Sequence, residues 1–275
     1  MALSVATNIG ALAASKAANS VNKAMETSMA RLSSGKRINS AADDSAGLAI
    51  ASRLTSEARG LDMASRNAAD AQAMLNTIES AHNEIHNILQ RMRELAVQGA
   101  NDTNGTADRA NIVTELNALH GEIDAIATQT KWAGQQVISQ GSTFTFQTGD
   151  EDGENLAVTT TTISASSLSV GSTATGSLSS AANFSSFVTT VNNAISSVAT
   201  YRAGYGANSN RLDHVMNNLA TNSQAVKASL GRIEDTDYAK ETTDLAKSQI
   251  LQQAATSMLA QANASKQTIL SLIQG

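Results

Sequence analysis

Between Ala64 and Ala96 the apolar positions advance in alternating steps of four and three: Ala64, Ala68, Ala71, Leu75, Ile78, His82, Ile85, Leu89, Met92 and Ala96. That spacing is a coiled-coil seam, and at 1.5 Å per residue it predicts a helix of about 50 Å. Gly99 and the polar cluster Asn101 to Gly105 end it. The spacing resumes through Ile112, Leu116, Leu119, Ile123, Ile126 and Thr130, after a start near Thr106 or Asp108. A short turn therefore folds this second helix back antiparallel on the first. A third seam runs from Phe184 through Val188, Val191, Ile195, Val198, Arg202, Tyr205, Ser209, Leu212, Met216, Leu219, Ser223, Val226, Leu230 and Ile233, with Arg202, Ser209 and Ser223 interrupting it.

Between Gln135 and Ala182 the texture changes to Thr, Ser and Gly, and Phe144, Phe146, Leu156 and Val158 alternate with polar neighbours. Period-two alternation predicts a β-hairpin, with its turn at Gly149 to Asn155. The Ser/Thr stretch from Thr159 to Ser180 is expected to face solvent. Both ends of the chain carry weaker helical seams: Ala14, Ala18, Val21, Met25, Ser28 and Leu32 at the start, and Leu251, Ala255, Met258, Ala262, Ser265, Ile269 and Leu272 at the finish. Their side chains are small, so little apolar area can be buried, and the two ends are expected to pair and to gain order from neighbours. The fold class is mainly α: a long antiparallel coiled-coil-like helical rod with a small β-hairpin region in the middle of the chain.

Composition sharpens this picture. Of 275 residues none is proline, which permits long unbroken helices, and none is cysteine, which excludes disulfides, thiolate metal sites and cysteine nucleophiles. A formal net charge of -5 with a single Trp argues against nucleic-acid binding. Ser, Asn, Lys or Glu interrupts every apolar run, so no membrane insertion is expected. The start, MALSVATNIGALAASKAANS, has no basic segment before an apolar block. Export, if it occurs, is expected to use a route other than a secretory signal peptide.

Candidate chemistry is sparse. His82 and His86 stand one helical turn apart around Glu84, but His82 occupies a seam position and no third ligand is evident, so packing is the better reading and no metal site is assigned. The acidic run Gly149 to Glu154 places its glycine too early for a calcium loop and reads as a solvated turn. Gly204-Tyr205-Gly206 lacks the third glycine of a phosphate loop and reads as a local helix break. Asp43 and Asp44 precede the apolar pattern of Ala46 to Ala58, where acids cap a helix N-terminus. No catalytic constellation and no cofactor is expected, and an enzyme is not the reading.

Specific motifs carry more. The stretch RLSSGKRINSAADDSAGLAI from Arg31 to Ile50, followed by Arg59-Gly60-Leu61 and Ala64-Ser65-Arg66-Asn67, resembles the N-terminal signature of bacterial flagellin. LQRMRELAVQ (Leu89 to Gln98), GEIDAIA (Gly121 to Ala127), Asn210-Arg211-Leu212, RIEDTDYA (Arg232 to Ala239) and SQILQQAATSMLAQAN (Ser248 to Asn263) resemble later flagellin motifs in the same order. The family often has a proline near the C-terminus where this chain reads Ala262 to Gln267 without one.

The resemblance implies a structural subunit of the flagellar filament that is exported and self-assembles into a hollow helical tube for swimming. In that layout residues 1–43 and 236–275 form a terminal coiled-coil domain lining the inner tube, 44–135 and 183–235 a helical rod domain, and 136–182 a short hairpin and variable surface region. It implies an assembly segment at Arg31, Leu32, Gly35, Arg37, Ile38, Asn39, Asp43, Asp44 and Gly47, and terminal-helix packing through Val21, Met25, Leu32, Leu251, Ala255, Met258, Ala262, Ile269 and Leu272. The implied partners are further copies of the chain, the flagellar type III export apparatus, an export chaperone at the C-terminal helices, and the filament cap and hook-junction proteins. A vertebrate Toll-like receptor would contact Arg91, Leu95 and Glu115. The implied location is extracellular, in the flagellar filament. A hook-filament junction protein is the alternative reading, and an adhesion or signalling module working as a soluble oligomer is a more distant one.

Overall fold

A computed structural model describes residues 7–274, apart from the side chains of Thr173, Gln267 and 269–274. In chain order the elements are α1 (Ile9–Ser34), α2 (Ser45–Gly99), α3 (Thr106–Gln129), β1 (Lys131–Trp132), β2 (Gln135–Gln136), β3 (Thr143–Gln147), β4 (Asn155–Thr159), the single turn α4 (Ser172–Thr175), α5 (Ala181–Glu234) and α6 (Tyr238–Gln274). They divide into two compact units, residues 1–57 with 225–275 and residues 58–224.

The unit of 58–224 holds the contiguous apolar core, which runs from Ala68 to Leu212. Along α2 the residues at 0–2% exposure are Ala64, Ala68, Ala71, Met74, Leu75, Ile78, His82, Ile85, Leu89, Met92, Leu95 and Ala96, so the four-three seam is the buried face. Polar ties fix the helix directions. Gln72 donates to Asp213 at 2.7 Å, Arg93 to Asn192 at 2.8 Å, and Ser223 to Asp62 at 2.9 Å, a series that only antiparallel α2 and α5 can make. Arg202 and Ser223, two of the polar interruptions in the α5 seam, are thus bridging residues, Arg202 by a 2.7 Å ion pair to Glu79. Close approach of the two helices depends on Gly99, where an added Cβ would meet the Phe184 ring at 2.5 Å.

Helix ends follow local chemistry. Asp108 accepts the Gly105 N–H at 3.0 Å at the start of α3, and Arg109 donates to the Gly99 carbonyl at 3.1 Å at the end of α2. Gly204 and Gly206 do not break α5: both lie within it, and a Cβ at either would meet nothing within 4 Å. Tyr205 between them is core, so the glycines sit on open flanks where helix continuity is kept at about 1 kcal/mol each relative to Ala.

The hairpin is antiparallel, with Phe144 opposite Val158 and Phe146 opposite Leu156, and the turn between its strands contains Gly153 at φ 89°. A smaller hairpin, β1 with β2, turns through Ala133 and Gly134, both at positive φ, the geometry of a two-residue primed turn. The expectation that 159–180 faces solvent is overturned. Thr160, Ile163, Ala165, Leu168, Val170, Thr175 and Leu178 are all buried, at 0–7% exposure. The loop seats on α3 and α5: Asp124 accepts the Ala165 N–H at 2.8 Å, Thr175 bonds Asn117 at 2.6 Å, and Thr161 N–H donates to the Tyr205 hydroxyl at 3.0 Å. Small hydroxyl residues let the chain turn sharply while its scattered apolar side chains fill the core.

In the other unit α1 and α6 pair antiparallel. Asn8 Nδ2 donates to Ala262 O at 3.0 Å, Gln252 to Asn22 at 2.8 Å, and Arg31 approaches Glu241 at 3.7 Å. The terminal helices do pair, and the inward face of α6 keeps Ala255 and Ala262 of the expected seam while turning Leu251 and Met258 away. Glu241, Ser248 and Ala255 are buried and Gln252, Leu259 and Ala262 half-buried, whereas Leu251 is 44% and Met258 65% exposed. An alanine-rich helix offers several small faces of equal fit, and the one with the fewest large side chains allows the tightest approach. On α1 Val21, Met25 and Leu32 are half-buried, with Ala14 and Ser28 buried. The side chains of Ile269 and Leu272 lie outside those described.

Candidate assembly surfaces

Three surfaces carry the sequence-predicted site residues. The first is the segment from Arg31 to Gly47. Helix α1 ends at Gly35, whose φ of 73° is left-handed and whose N–H donates to Arg31 O at 2.9 Å. A side chain here would carry the strain of that backbone and meet the Tyr238 hydroxyl at 3.1 Å. The chain then makes a single antiparallel bridge, Lys36 opposite Asp235. Arg37 N–H donates to Glu234 O at 2.6 Å and Thr236 N–H to Gly35 O at 3.0 Å. The Arg37 guanidinium adds a bond to Ile233 O at 2.7 Å, and Lys36 an ion pair to Glu234 at 2.6 Å. The link between α1 and α2 is thereby stitched to the link between α5 and α6.

The two acids of this segment have separate roles. Asp44 is the N-cap of α2, accepting the Gly47 N–H at 2.8 Å. Asp43 instead closes the turn before it, accepting from Ser40 Oγ at 3.0 Å, Ser40 N–H at 2.9 Å and Asn39 N–H at 3.2 Å. These bonds, the Ser40 hydroxyl first, hold the Asp43 carboxyl below its ordinary 3.8. Asn39 also donates to Lys36 O at 3.3 Å. Ile38 is buried at 3% exposure, and Gly47 is packed so closely that a Cβ would collide with Asp44 and with Ile38 at 2.7 Å.

The second is the solvent-facing part of the α1–α6 pair, which exposes large apolar side chains at Ile9 (72%), Leu12 (67%) and Met258 (65%) and, less uniformly, at Ile250, Leu251 and Met29. Sequence reasoning missed Glu241, Ser248 and Gln252 as the inward face, because polar residues do not register on an apolar seam. The weak signal available was their own four-three spacing.

The third is on α2 and α3. Arg91 donates through Nε and Nη2 to Glu115 Oε1 at 3.1 and 2.8 Å, and through Nη1 to Glu94 at 3.1 Å. All three side chains are about half exposed or more, and the Glu115 bonds are the main cause raising the Arg91 pKa above its ordinary value. Leu95 does not join them. It is 2% exposed and belongs to the core, so it shapes this surface from beneath and is not a contact position.

Among the described residues no group of three or more His, Cys, Asp or Glu is placed to hold a metal ion, and no helix is long and apolar enough to cross a membrane. His82 packs as a core residue. Fold and surfaces together define the class: a helical packing protein that pairs its terminal helices, threads two polypeptide links through one stitched junction, and leaves large apolar side chains of the terminal helices uncovered.

Comparison with known proteins narrows the class. Residues 5–143 match the bacterial flagellin N-terminal helical region and residues 188–273 the bacterial flagellin C-terminal helical region. The chain is 38% identical to a flagellin of Halalkalibacterium halodurans over 257 residues, 93% of each chain. It is 36% identical to a flagellin of Bacillus subtilis over 302 aligned positions, covering 97% of this chain and 98% of that one. A solved structure described as a flagellar hook-associated protein from Vibrio parahaemolyticus shares the fold, with a TM-score of 0.61 at 15% identity over 70% of this chain and all of that one. The chain belongs to the bacterial flagellin family and is a structural subunit of the flagellar filament.

Proposed function

We propose that this chain works as an exported, non-enzymatic subunit that polymerises through its terminal helices. The observation that carries the reading is the set of uncovered apolar side chains on α1 and α6: Ile9, Leu12, Met29, Ile250, Leu251 and Met258 lie 44–72% exposed on a pair whose fully buried positions are Ala, Ser and one Glu. Such a pair gains little from folding alone and much from covering those side chains with copies of itself. In the polymer, residues 1–43 and 236–275 line the inner tube, 44–135 and 183–235 form the surrounding rod layer, and 136–182 faces outward. The stitched segment holding Arg31, Leu32, Gly35, Arg37, Ile38, Asn39, Asp43, Asp44 and Gly47 sets the angle of the links and contacts neighbouring copies.

The same exposed side chains account for the other partners. Terminal helices with thin packing unfold at low cost, which suits passage through the flagellar type III apparatus and secretion to the cell exterior. A chaperone at α6 covers Leu251 and Met258 before assembly. The filament cap and the hook-junction proteins meet this surface at the two ends of the polymer. Arg91 and Glu115 are the positions offered to a vertebrate Toll-like receptor, and Arg91→Ala leaving receptor activation at the parental level would remove that assignment.

Purified monomer is mixed with short filament seeds, followed by negative-stain electron microscopy and circular dichroism. Long uniform tubes with rising helicity are expected. Discrete particles with unchanged helicity, under conditions where a known flagellin elongates, would overturn the polymer reading and favour a junction protein.

A further inference from the structure

One imidazole in the rod core plays no part in assembly and has no exposed surface at all. His82 lies on the inward face of α2 between Ile78 and Ile85. Its Nδ1 is 2.7 Å from the Ile78 carbonyl, which can only accept, so Nδ1 carries the proton and donates. Nε2 is then a bare acceptor, and it is buried without a partner. Tyr205 of α5 meets the ring edge-on, with centroids 5.2 Å apart at 69°. The hydroxyl of that same tyrosine accepts the Thr161 N–H, at the head of the loop that fills the core with Ile163 and Ala165.

A second proton on His82 has nowhere acceptable to go. It would place a positive charge and a donor lacking an acceptor in the apolar interior. Four charged or titratable neighbours bear on this. Glu79, on the same helix, favours the cation, and Arg202 of α5 opposes it; the two pair with each other at 2.7 Å, which offsets much of either field. His86 stands one turn along α2. On α3 the antiparallel register of Arg91 with Glu115 sets Asp124 level with His82, and that carboxylate is engaged by the Ala165 N–H. Burial is the largest influence and drives the His82 pKa below its ordinary 6.5.

We propose that His82 is an acid-sensitive lock on the rod core: the fold accepts only its neutral ring, and acidification loosens Tyr205 from α2 and releases the loop that Thr161 ties to it. The sign follows from linkage. The folded pKa is depressed, so below 6.5 the unfolded or locally opened chain binds a proton that the closed chain refuses. Stability contributed by the neutral ring is present above 6.5, falls as pH drops toward the folded pKa, and levels off beneath it. The lock belongs to the monomer and holds whether or not the chain polymerises.

The test uses the full-length monomer with isotope-labelled histidine. At pH 6.5 the His82 ring should report by its carbon shifts as mostly neutral, where an imidazole of ordinary pKa is about half protonated. Amide exchange in residues 160–165, corrected for intrinsic chemistry, should quicken between pH 7.5 and 5.5 by up to about tenfold in total, most of it below pH 6.5. His82→Phe, and His82→Gln as a second variant, should flatten that dependence while the rest of the rod exchanges as before. A His82 ring that titrates at 6.5 in the folded chain overturns the proposal, and so does a loop whose exchange changes alike in parent and variants. Should neither variant fold, ring titration and loop exchange in the parent chain decide.

Discussion

The two units are built on the same four-three periodicity, yet they bury different things. The rod core encloses Phe184, Met74, Leu75, Ile78, Ile85, Leu89, Met92, Leu116, Ile123 and Leu212 at 2% exposure or less. The terminal pair encloses fully only Ala14, Ser28, Glu241, Ser248 and Ala255; its larger apolar residues are half-buried, such as Val21 and Met25, or exposed, such as Ile9, Leu12 and Met258. At about 1.5–3 kcal/mol for a fully buried large aliphatic or aromatic side chain, the first set stabilises a monomer and the second does not. Periodicity thus says where a helix faces; the size of the residues on that face says whether the helix stands alone. A chain that must be stable in one region and compliant in another can use one pattern for both, varying only side-chain volume.

The largest expected break in this comparison is in the core. Phe184→Ala should cost about 3–5 kcal/mol in urea unfolding of the monomer, and Gly99→Ala, which drives a methyl into the same ring, about 1–3 kcal/mol. Ala255→Ser, on the buried face of the terminal pair, should move the same transition by less than about 1 kcal/mol. Equal effects from core and terminal changes would dissolve the distinction between the units.

The complementary experiment addresses the exposed apolar side chains of α6. Leu251→Ser with Met258→Ser should leave monomer unfolding within about 0.5 kcal/mol of the parent, because both side chains are exposed already. Seeded elongation should slow by at least about tenfold, equivalent to about 1.4 kcal/mol lost at the contact between copies. A double variant that elongates normally would remove these residues from the assembly surface. Of comparable size is the loss of a cap: Asp44→Ala should destabilise the start of α2 by about 1 kcal/mol, read as faster amide exchange at Gly47, whose N–H the carboxylate holds.

How much of this was legible beforehand differs between the same two regions. In the rod, Leu75, Ile78, Ile85 and Leu89 mark a single face by their bulk, so spacing alone placed the core, the antiparallel return and the hairpin carrying Phe144, Phe146, Leu156 and Val158. In the terminal helices nearly every face carries an alanine. Of the expected α6 positions Ala255 and Ala262 turn inward and the bulkier Leu251 and Met258 do not, their places being taken by Ser248 and Gln252. The loop after β4 was misread for a related reason. Ile163, Ala165, Leu168, Val170 and Leu178 follow neither a two- nor a 3.6-residue period, so their burial is decided by contacts with α3 and α5 that no local pattern encodes. Leu95 was misplaced because a motif names residues without saying which of them face outward.

The smallest expected effect lies in the stitched segment, and it sharpens the comparison through acid. Asp43 is held below its ordinary 3.8 by Ser40 and Asn39, so the stability it lends the 39–43 turn is present above 3.8 and is lost as pH falls through its folded pKa. Its carboxylate is fully open to water, which competes for the same bonds and keeps the contribution small. Between pH 5 and 2 the Asn39 and Ser40 amides should lose their hydrogen-bonded shifts, and Asp43→Asn should remove that transition without altering the unfolding midpoint at neutral pH. The rod loop behind His82 should already have opened in milder acid, because a buried imidazole responds from 6.5 downward whereas an exposed carboxylate responds only below 3.8. The order of the two events is therefore a consequence of burial. If the 39–43 turn loosened first, the rod core would not be the acid-sensitive region and the distinction between the two units would have to rest on packing alone.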